Sequence, residues 1–245
     1  MPGWTTHQVA PNVRLRVVRP MAPLNATLEA EIDRLWAAAQ ARTGGALFNG
    51  QVFSADVITP RLICGHWTEF RRIVAQMARH DLHAQLGIRP LAVGGVLHGP
   101  DGVVFGRRPG RAVYQAGEWQ LPPAGSLDPT AARAEGDVDF TAHILTELRE
   151  EVGLAAEAID AITPLCIVEH AEHGIGSHVL DFGIGLHTAL PAAEIQAIHT
   201  RHGNAEYAPP LTVVPLADLP AFLAQGGKLV NLQAPVFLRQ LGFLP

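Results

Sequence analysis

The chain has 245 residues, 48% of them hydrophobic and 17% charged, enough apolar material for one good-sized core or a core with a smaller lobe. A formal net charge of −5 argues against a general nucleic-acid binder, which would carry a basic stripe. No apolar run approaches the ~20 residues of a membrane span, and no basic segment leads into an apolar stretch at the N-terminus, so the expected setting is the cytoplasm, with no membrane partner.

In chain order, Val13 to Val18 reads as a strand and Ala26 to Ala41 as a helix that Asn25 caps and Gly44-Gly45 ends. Gln51 to Ile58 and Arg61 to Cys64 read as strands joined at Thr59-Pro60, and Glu69 to His80 as a second helix. From Arg89 onward, Leu91 to Leu97 and Val103 to Arg107 flank His98-Gly99-Pro100-Asp101-Gly102, a hairpin signal. A strand from Glu118 runs into the tight loop Pro122-Pro123-Ala124-Gly125, and a helix is expected from about Phe140 to Val152. Ile162 to Glu169 and His178 to Leu186 follow as strands, Ala192 to His199 as a helix, Leu211 to Val214 as a strand and Pro235 to Leu241 as a closing helix. The expected division is an N-terminal α/β region over 1–88 and a larger domain over 89–245, without internal repeats. The two cysteines, Cys64 and Cys166, stand in apolar runs and read as buried thiols.

The stretch richest in chemistry is Glu147-Leu148-Arg149-Glu150-Glu151-Val152-Gly153-Leu154. On an α-helix its three carboxylates project from one side, Glu147 and Glu151 roughly 40° apart around the axis. Like charges so close repel and raise one another's pKa, and a bound divalent cation removes that cost. An all-oxygen set suits Mg²⁺ or Mn²⁺, whereas zinc would ask for His or Cys. The alternative is a solvated acidic face with Gly153 as an ordinary C-cap.

With the Pro123-Ala124-Gly125 loop upstream, this stretch resembles the second half of the Nudix box, whose order is Arg-Glu-apolar-x-Glu-Glu-x-Gly-apolar. The chain departs from the box in having Thr146 for its Arg and Val138 for its earlier Glu, with an insertion over Asp128 to Asp139; His143 or Arg149 stands within reach of Thr146's missing ion pair. Ala46-Leu47-Phe48-Asn49-Gly50 and Gly65-His66-Trp67-Thr68-Glu69-Phe70 are similar to the branch of that superfamily that hydrolyses UDP-glucose and UDP-galactose, which also has an extended, altered box.

The resemblance implies an α/β (α+β) fold, a Nudix α/β/α sandwich with a mixed sheet and a small N-terminal α/β extension. It implies a Mg²⁺- or Mn²⁺-dependent pyrophosphatase that cleaves a nucleotide-sugar, most closely a UDP-sugar to UMP and sugar 1-phosphate. ADP-ribose, coenzyme A or another nucleotide is the alternative substrate, and a catalytically silent nucleotide-binding domain the alternative class. A homodimer is compatible with the superfamily.

By the same resemblance Glu147, Glu150 and Glu151 are the metal ligands, the backbone carbonyl near Ala124 completes the shell, and Glu150 is a ligand or water-orienting base. Glu206, in a loop before a strand, is a base, an extra ligand or a solvated carboxylate. Arg107 and Arg108 end a strand where substrate phosphates are met, and only one can face the site. Phe48 and Asn49 read either as nucleobase contacts or as a core aromatic and a turn residue. Glu169 and Glu172 sit near a Gly-rich turn from which they could approach the metals, and the neighbouring His170, His173 and His178 lack a matching second group for zinc.

Overall fold

The computed structural model describes residues 4–110, 116–170, 178–203, 206–226 and 233–245. Its elements are β1 (Trp4–Gln8), β2 (Arg14–Val17), α1 (Ala26–Arg42), β3 (Gln51–Ile58), β4 (Leu62–Glu69), α2 (Phe70–Ala78), α3 (His83–Leu86), β5 (Leu91–Gly99) and β6 (Gly102–Arg107). Then come β7 (Trp119–Gln120), β8 (Ala124–Ser126), β9 (Asp137–Val138), α4 (Phe140–Glu147), β10 (Ala161–His170), β11 (Val179–His187), α5 (Ala192–His202), β12 (Ala208–Val214), α6 (Leu219–Gly226) and α7 (Ala234–Gln240). One sheet has the strand order β1-β10-β11-β5-β6-β12, with β7 paired to β6 and β8 to β5; the other has the order β3-β4-β2-β9. The fold is mixed α/β, and the chain divides into two compact units.

The first unit comprises 1–92, 126–140 and 168–180. Its helix α1 starts where the Asn25 side chain accepts the Leu28 N–H at 2.9 Å, satisfying one of the orphan donors of the first turn. Leu28 and Ile32, four apart, bury against Ala75 and Leu82, and each such side chain contributes roughly 1.5–3 kcal/mol. Two arginines tie α1 to α2: Arg72 donates to Glu29 at 2.8 Å and Arg71 to Glu29 and Asp33 at 2.8 and 2.7 Å.

Helix α2 begins at Phe70 rather than Glu69, because Glu69 remains extended and pairs with Gln51 in the β3–β4 ladder. For the same reason β4 runs on to Glu69 instead of stopping at Cys64. Part of the Asp128 to Asp139 insertion forms β9, which pairs antiparallel with β2 through Leu15↔Val138 and Arg16↔Asp137.

The second unit comprises 93–125, 141–167 and 181–245. Strand β6 is buried from Gly102 to Gly106, a run that fits a strand covered on both faces. The hairpin expected around Pro100-Asp101 is present, with His98↔Val103 and Gly99↔Gly102 in register. Gly94 and Gly95 give two opposite approaches to β5, since successive strand residues face opposite sides. A Cβ on Gly94 would lie 3.7 Å from the Phe237 ring of α7, and one on Gly95 would lie 2.6 Å from Pro123 Cδ. The Gly95 N–H donates to the Pro123 carbonyl at 2.7 Å, seating the Pro-Ala-Gly loop against β5.

The expected acidic helix is broken in two. Helix α4 stops at Glu147, and Leu148–Val152 makes one π-helical turn that Gly153 ends in the left-handed conformation at φ 84°. A Cβ on Gly153 would lie 2.7 Å from His202 Cβ. Among the described residues no helix is long and apolar enough to cross a membrane.

Candidate active site

The loop that follows β7 and the π-helical turn meet through main-chain and carboxylate groups. The Ala124 N–H donates to Glu151 Oε2 at 2.9 Å. Beside it Glu147 occupies the space over Gly125, where a Cβ would fall 2.1 Å from Glu147 Oε1. Glycine is therefore required at 125 for Glu147 to lie where it does.

Glu151 is 6% exposed. Burial pushes its carboxyl up to about 8; the Ala124 N–H, Arg108 and Tyr207 oppose the rise, and the charge of Glu147 adds to it. The Tyr207 hydroxyl donates to Gln120 Oε1 at 3.4 Å, and the phenol acts on the Glu151 carboxyl. Burial and the neighbouring Glu151 hold the phenol well above its ordinary pKa. Gly106 makes room for this ring, since a Cβ there would lie 2.4 Å from Tyr207 Cδ1.

His143, one turn before Glu147, places Nε2 3.3 Å from Glu147 Oε1, while Thr146 donates its hydroxyl back to the Ala142 carbonyl at 3.0 Å. Of the two residues within reach of Thr146's missing ion pair, it is His143 that stands beside Glu147. Glu150 is exposed, and its main-chain carbonyl takes a hydrogen bond from His202 Nε2 at 2.8 Å; a carbonyl only accepts, so that nitrogen carries the proton.

Arg108 forms an ion pair with Glu206 and acts electrostatically on Glu151. Arg107 is exposed, donates to the Gly117 carbonyl at 3.2 Å and lies 5.8 Å from the centroid of the Trp119 ring. The strand alternation thus assigns Arg108, and not Arg107, to the acidic residues.

Phe48 and Asn49 belong to the first unit. Phe48 is 84% exposed, and Asn49 Oδ1 accepts the Arg71 N–H at 2.9 Å at the start of α2. Glu169, also in the first unit, is engaged by Arg89 at 3.0 and 2.7 Å, by His7 at 2.8 Å and by His178 at 3.3 Å. These partners hold its carboxyl down at about 2 against the opposing effect of burial. Glu172 and His173 lie outside the described residues. The His170 ring lies tilted against Trp4, and His178 stacks on His83.

A hard divalent cation fits Glu147 and Glu151 in chemistry: one buried carboxylate, a second beside it, and a glycine whose missing side chain leaves their space open. Among the described residues, however, no three His, Cys, Asp or Glu side chains are grouped so as to hold a metal ion. The π-helical turn changes the spacing that an unbroken α-helix would impose, and Glu150 stands exposed while Glu151 is buried. Sequence reasoning missed Tyr207 and Gln120. Neither carries a local signal, because the Gly106↔Gln120 pairing of β6 with β7 and the seat at Gly106 are what bring the two together.

Neither a protein-family model nor a curated protein matches this sequence. Solved structures with some likeness include the Nudix domain of Shewanella oneidensis NrtR, determined as a complex with ADP-ribose, at 18% identity over 68% of this chain and 94% of that one, with a TM-score of 0.45. A Deinococcus radiodurans protein matches at 15% identity over 62% of this chain and 82% of its own, with a TM-score of 0.42. The Nudix hydrolase RenU of M. smegmatis matches at 20% identity over 54% and 74%, with a TM-score of 0.32. At TM-scores below 0.5 these likenesses assign no activity.

Proposed function

We propose that this chain is a Nudix-type, metal-dependent pyrophosphatase acting on a nucleoside diphosphate-linked small molecule, and that its substrate is a UDP-sugar, cleaved to UMP and sugar 1-phosphate. The observation that carries this reading is the hydrogen bond from Ala124 N–H to the buried Glu151, which joins the Pro-Ala-Gly loop to the acidic turn with Glu147 over Gly125.

Glu147 and Glu151 would hold a Mg²⁺ or Mn²⁺ ion, with Glu150 and the Ala124 carbonyl as further oxygen donors. When bound, the ion supplies positive charge against the pyrophosphate and acidifies an attacking water. Arg108 offers a guanidinium to a phosphate oxygen, a charge-assisted contact that fixes the group in place. Glu206 accepts the proton of the water as its oxygen bonds to one phosphorus, the bridging P–O bond breaks, and the other phosphorus departs as a phosphate ester. Arg107 is assigned to the outer part of the substrate.

One observation favours a second reading, a nucleotide-binding domain without turnover: among the described residues no three ligating side chains are grouped for a metal. Both readings are separated by measuring phosphate-ester release from UDP-glucose, UDP-galactose, ADP-ribose, coenzyme A and NADH, with and without Mg²⁺, for the wild type and Glu151→Gln. Metal-dependent cleavage of the UDP-sugars alone, lost in the variant, is the expected result. Cleavage of another member keeps the enzyme and changes its substrate, and no cleavage by folded protein leaves the binding domain.

A further inference from the structure

His98 of β5 and His187 of β11 stand side by side on neighbouring strands. The Leu180 N–H donates to the Pro90 carbonyl at 2.8 Å and the Thr188 N–H to the His98 carbonyl at 3.0 Å, so the strands run parallel with a constant offset that sets His98 opposite His187. Opposite residues send their side chains to the same face of a sheet. Both imidazoles line one cavity of about 400 Å³, together with Pro100, Leu216 and Phe243.

The two ring centroids are 5.2 Å apart. An imidazole nitrogen bonds zinc at about 2.0–2.1 Å, which puts its ring centroid about 3.2 Å from the metal; two such rings are then about 5.3 Å apart at the tetrahedral angle and about 4.6 Å at a right angle. The observed spacing is the tetrahedral one. Imidazole nitrogens suit Zn²⁺, Cu²⁺ and Ni²⁺ rather than the hard Mg²⁺, and among these the tetrahedral preference belongs to zinc.

Each ring also has a partner that fixes it. Phe243 packs edge-to-face on His98 with centroids 5.0 Å apart. Asp160 Oδ2 lies 3.5 Å from His187 Nδ1, and the Asp160 N–H donates to the His187 carbonyl at 2.9 Å. A carboxylate against one ring nitrogen leaves the other, Nε2, to ligate, the usual arrangement around a metal-bound histidine. Burial, with His187 adding to it, holds His98 below its ordinary pKa, so near neutral pH its ring is in the uncharged form that a metal requires.

We infer that His98 and His187 form a metal site of their own, for a tetrahedral Zn²⁺ ion, with Asp160 orienting His187. Its ligands are none of the acidic residues, so it stands whether or not the chain is a pyrophosphatase. Two imidazoles leave two positions on the ion for water or for a donor atom of a molecule held in the cavity, in keeping with the absence of any three-ligand group among the described residues.

The test is Zn²⁺ titration of the full chain, stripped with EDTA and kept in saturating Mg²⁺ to occupy the acidic residues, in competition with a chromophoric zinc chelator; thermal midpoints are read on the same samples. The wild type is expected to bind Zn²⁺, and His98→Gln and His187→Gln each to bind it at least about tenfold more weakly, since each removes one of two protein ligands. Asp160→Asn is expected to lose roughly tenfold, as for a partner that orients a ligand. A wild type that binds no Zn²⁺, or folded histidine variants that bind it as the wild type does, would overturn the site. Unchanged binding in Asp160→Asn alone would overturn the role of Asp160. If His98→Gln does not fold, His187→Gln decides, because His187 is exposed.

Discussion

Ala124 and Glu151 are 27 residues apart in the chain and are joined by a hydrogen bond of 2.9 Å from main-chain N–H to carboxylate. The donor is the first residue of β8, which pairs with β5, and the acceptor belongs to a π-helical turn. Their meeting places a buried carboxylate where a loop backbone, and no cation of the protein, provides the nearest compensation.

Gly125 is the tightest point of this meeting. Gly125→Ala puts a Cβ 2.1 Å from Glu147 Oε1, so the Glu147 side chain has to leave. Hydrolysis and Mn²⁺ binding are expected to fall by more than about tenfold, with little change in stability, because the atoms displaced are the end of a flexible, partly exposed side chain. Metal titration and thermal unfolding of the same protein separate the two effects.

The two neighbouring arginines should differ sharply. Arg108 pairs with Glu206 and acts on Glu151, whereas Arg107 lies over Trp119. Loss of a charge-assisted contact to phosphate costs about 1.5–3 kcal/mol, so kcat/KM of Arg108→Ala is expected to drop by roughly 10- to 100-fold, and that of Arg107→Ala by less than about threefold. Equal losses in steady-state assays would contradict this assignment.

Glu169 predicts an acid limb of stability. Its carboxyl is held at about 2 in the folded chain, below the ordinary 4.5 of the unfolded one. A lowered carboxyl contributes stability that is present above the unfolded value and is lost as pH falls through the folded value. The contribution is on the order of 3 kcal/mol for a side chain only 10% exposed, and it should disappear between pH 4.5 and 2. Denaturant melts of Glu169→Gln across that range should show a flatter pH dependence than the wild type and a lower stability at neutral pH.

Gly153 ends the π-helical turn at φ 84°, where a side chain is strained, and a Cβ would also meet His202 Cβ at 2.7 Å. Gly153→Ala is expected to destabilise the chain by about 1–3 kcal/mol, measured by equilibrium unfolding.

Features set by residues three or four apart were legible in the sequence. The Asn25 cap and the helix after it, the strand Gln51 to Ile58, and the hairpin around Pro100-Asp101 all occur as expected. They depend on local hydrogen bonds and on the spacing of apolar residues, which the sequence states directly. The acidic motif and the Pro-Ala-Gly loop were legible for a similar reason, since carboxylate spacing and turn residues are local chemistry.

Other features were invisible for want of a local cause. The strand β9 exists because Val138 finds Leu15. The acidic helix was expected to run unbroken to Val152, yet it widens into a π turn after Glu147. Arg107 and Arg108 were indistinguishable until β6 fixed which of the two faces Glu151.

What the sequence by itself determined is therefore most of the longer helices and strands, the mixed α/β class and the residue types available for chemistry. What only the tertiary structure decided is which carboxylate is buried, which arginine and which histidine stand beside the acidic residues, and that Tyr207 meets Gln120. Burial and pairing between residues distant in sequence depend on how the loop after β7, the turn after α4 and the entry to β12 converge on β5 and β6, and that convergence is written in no single segment.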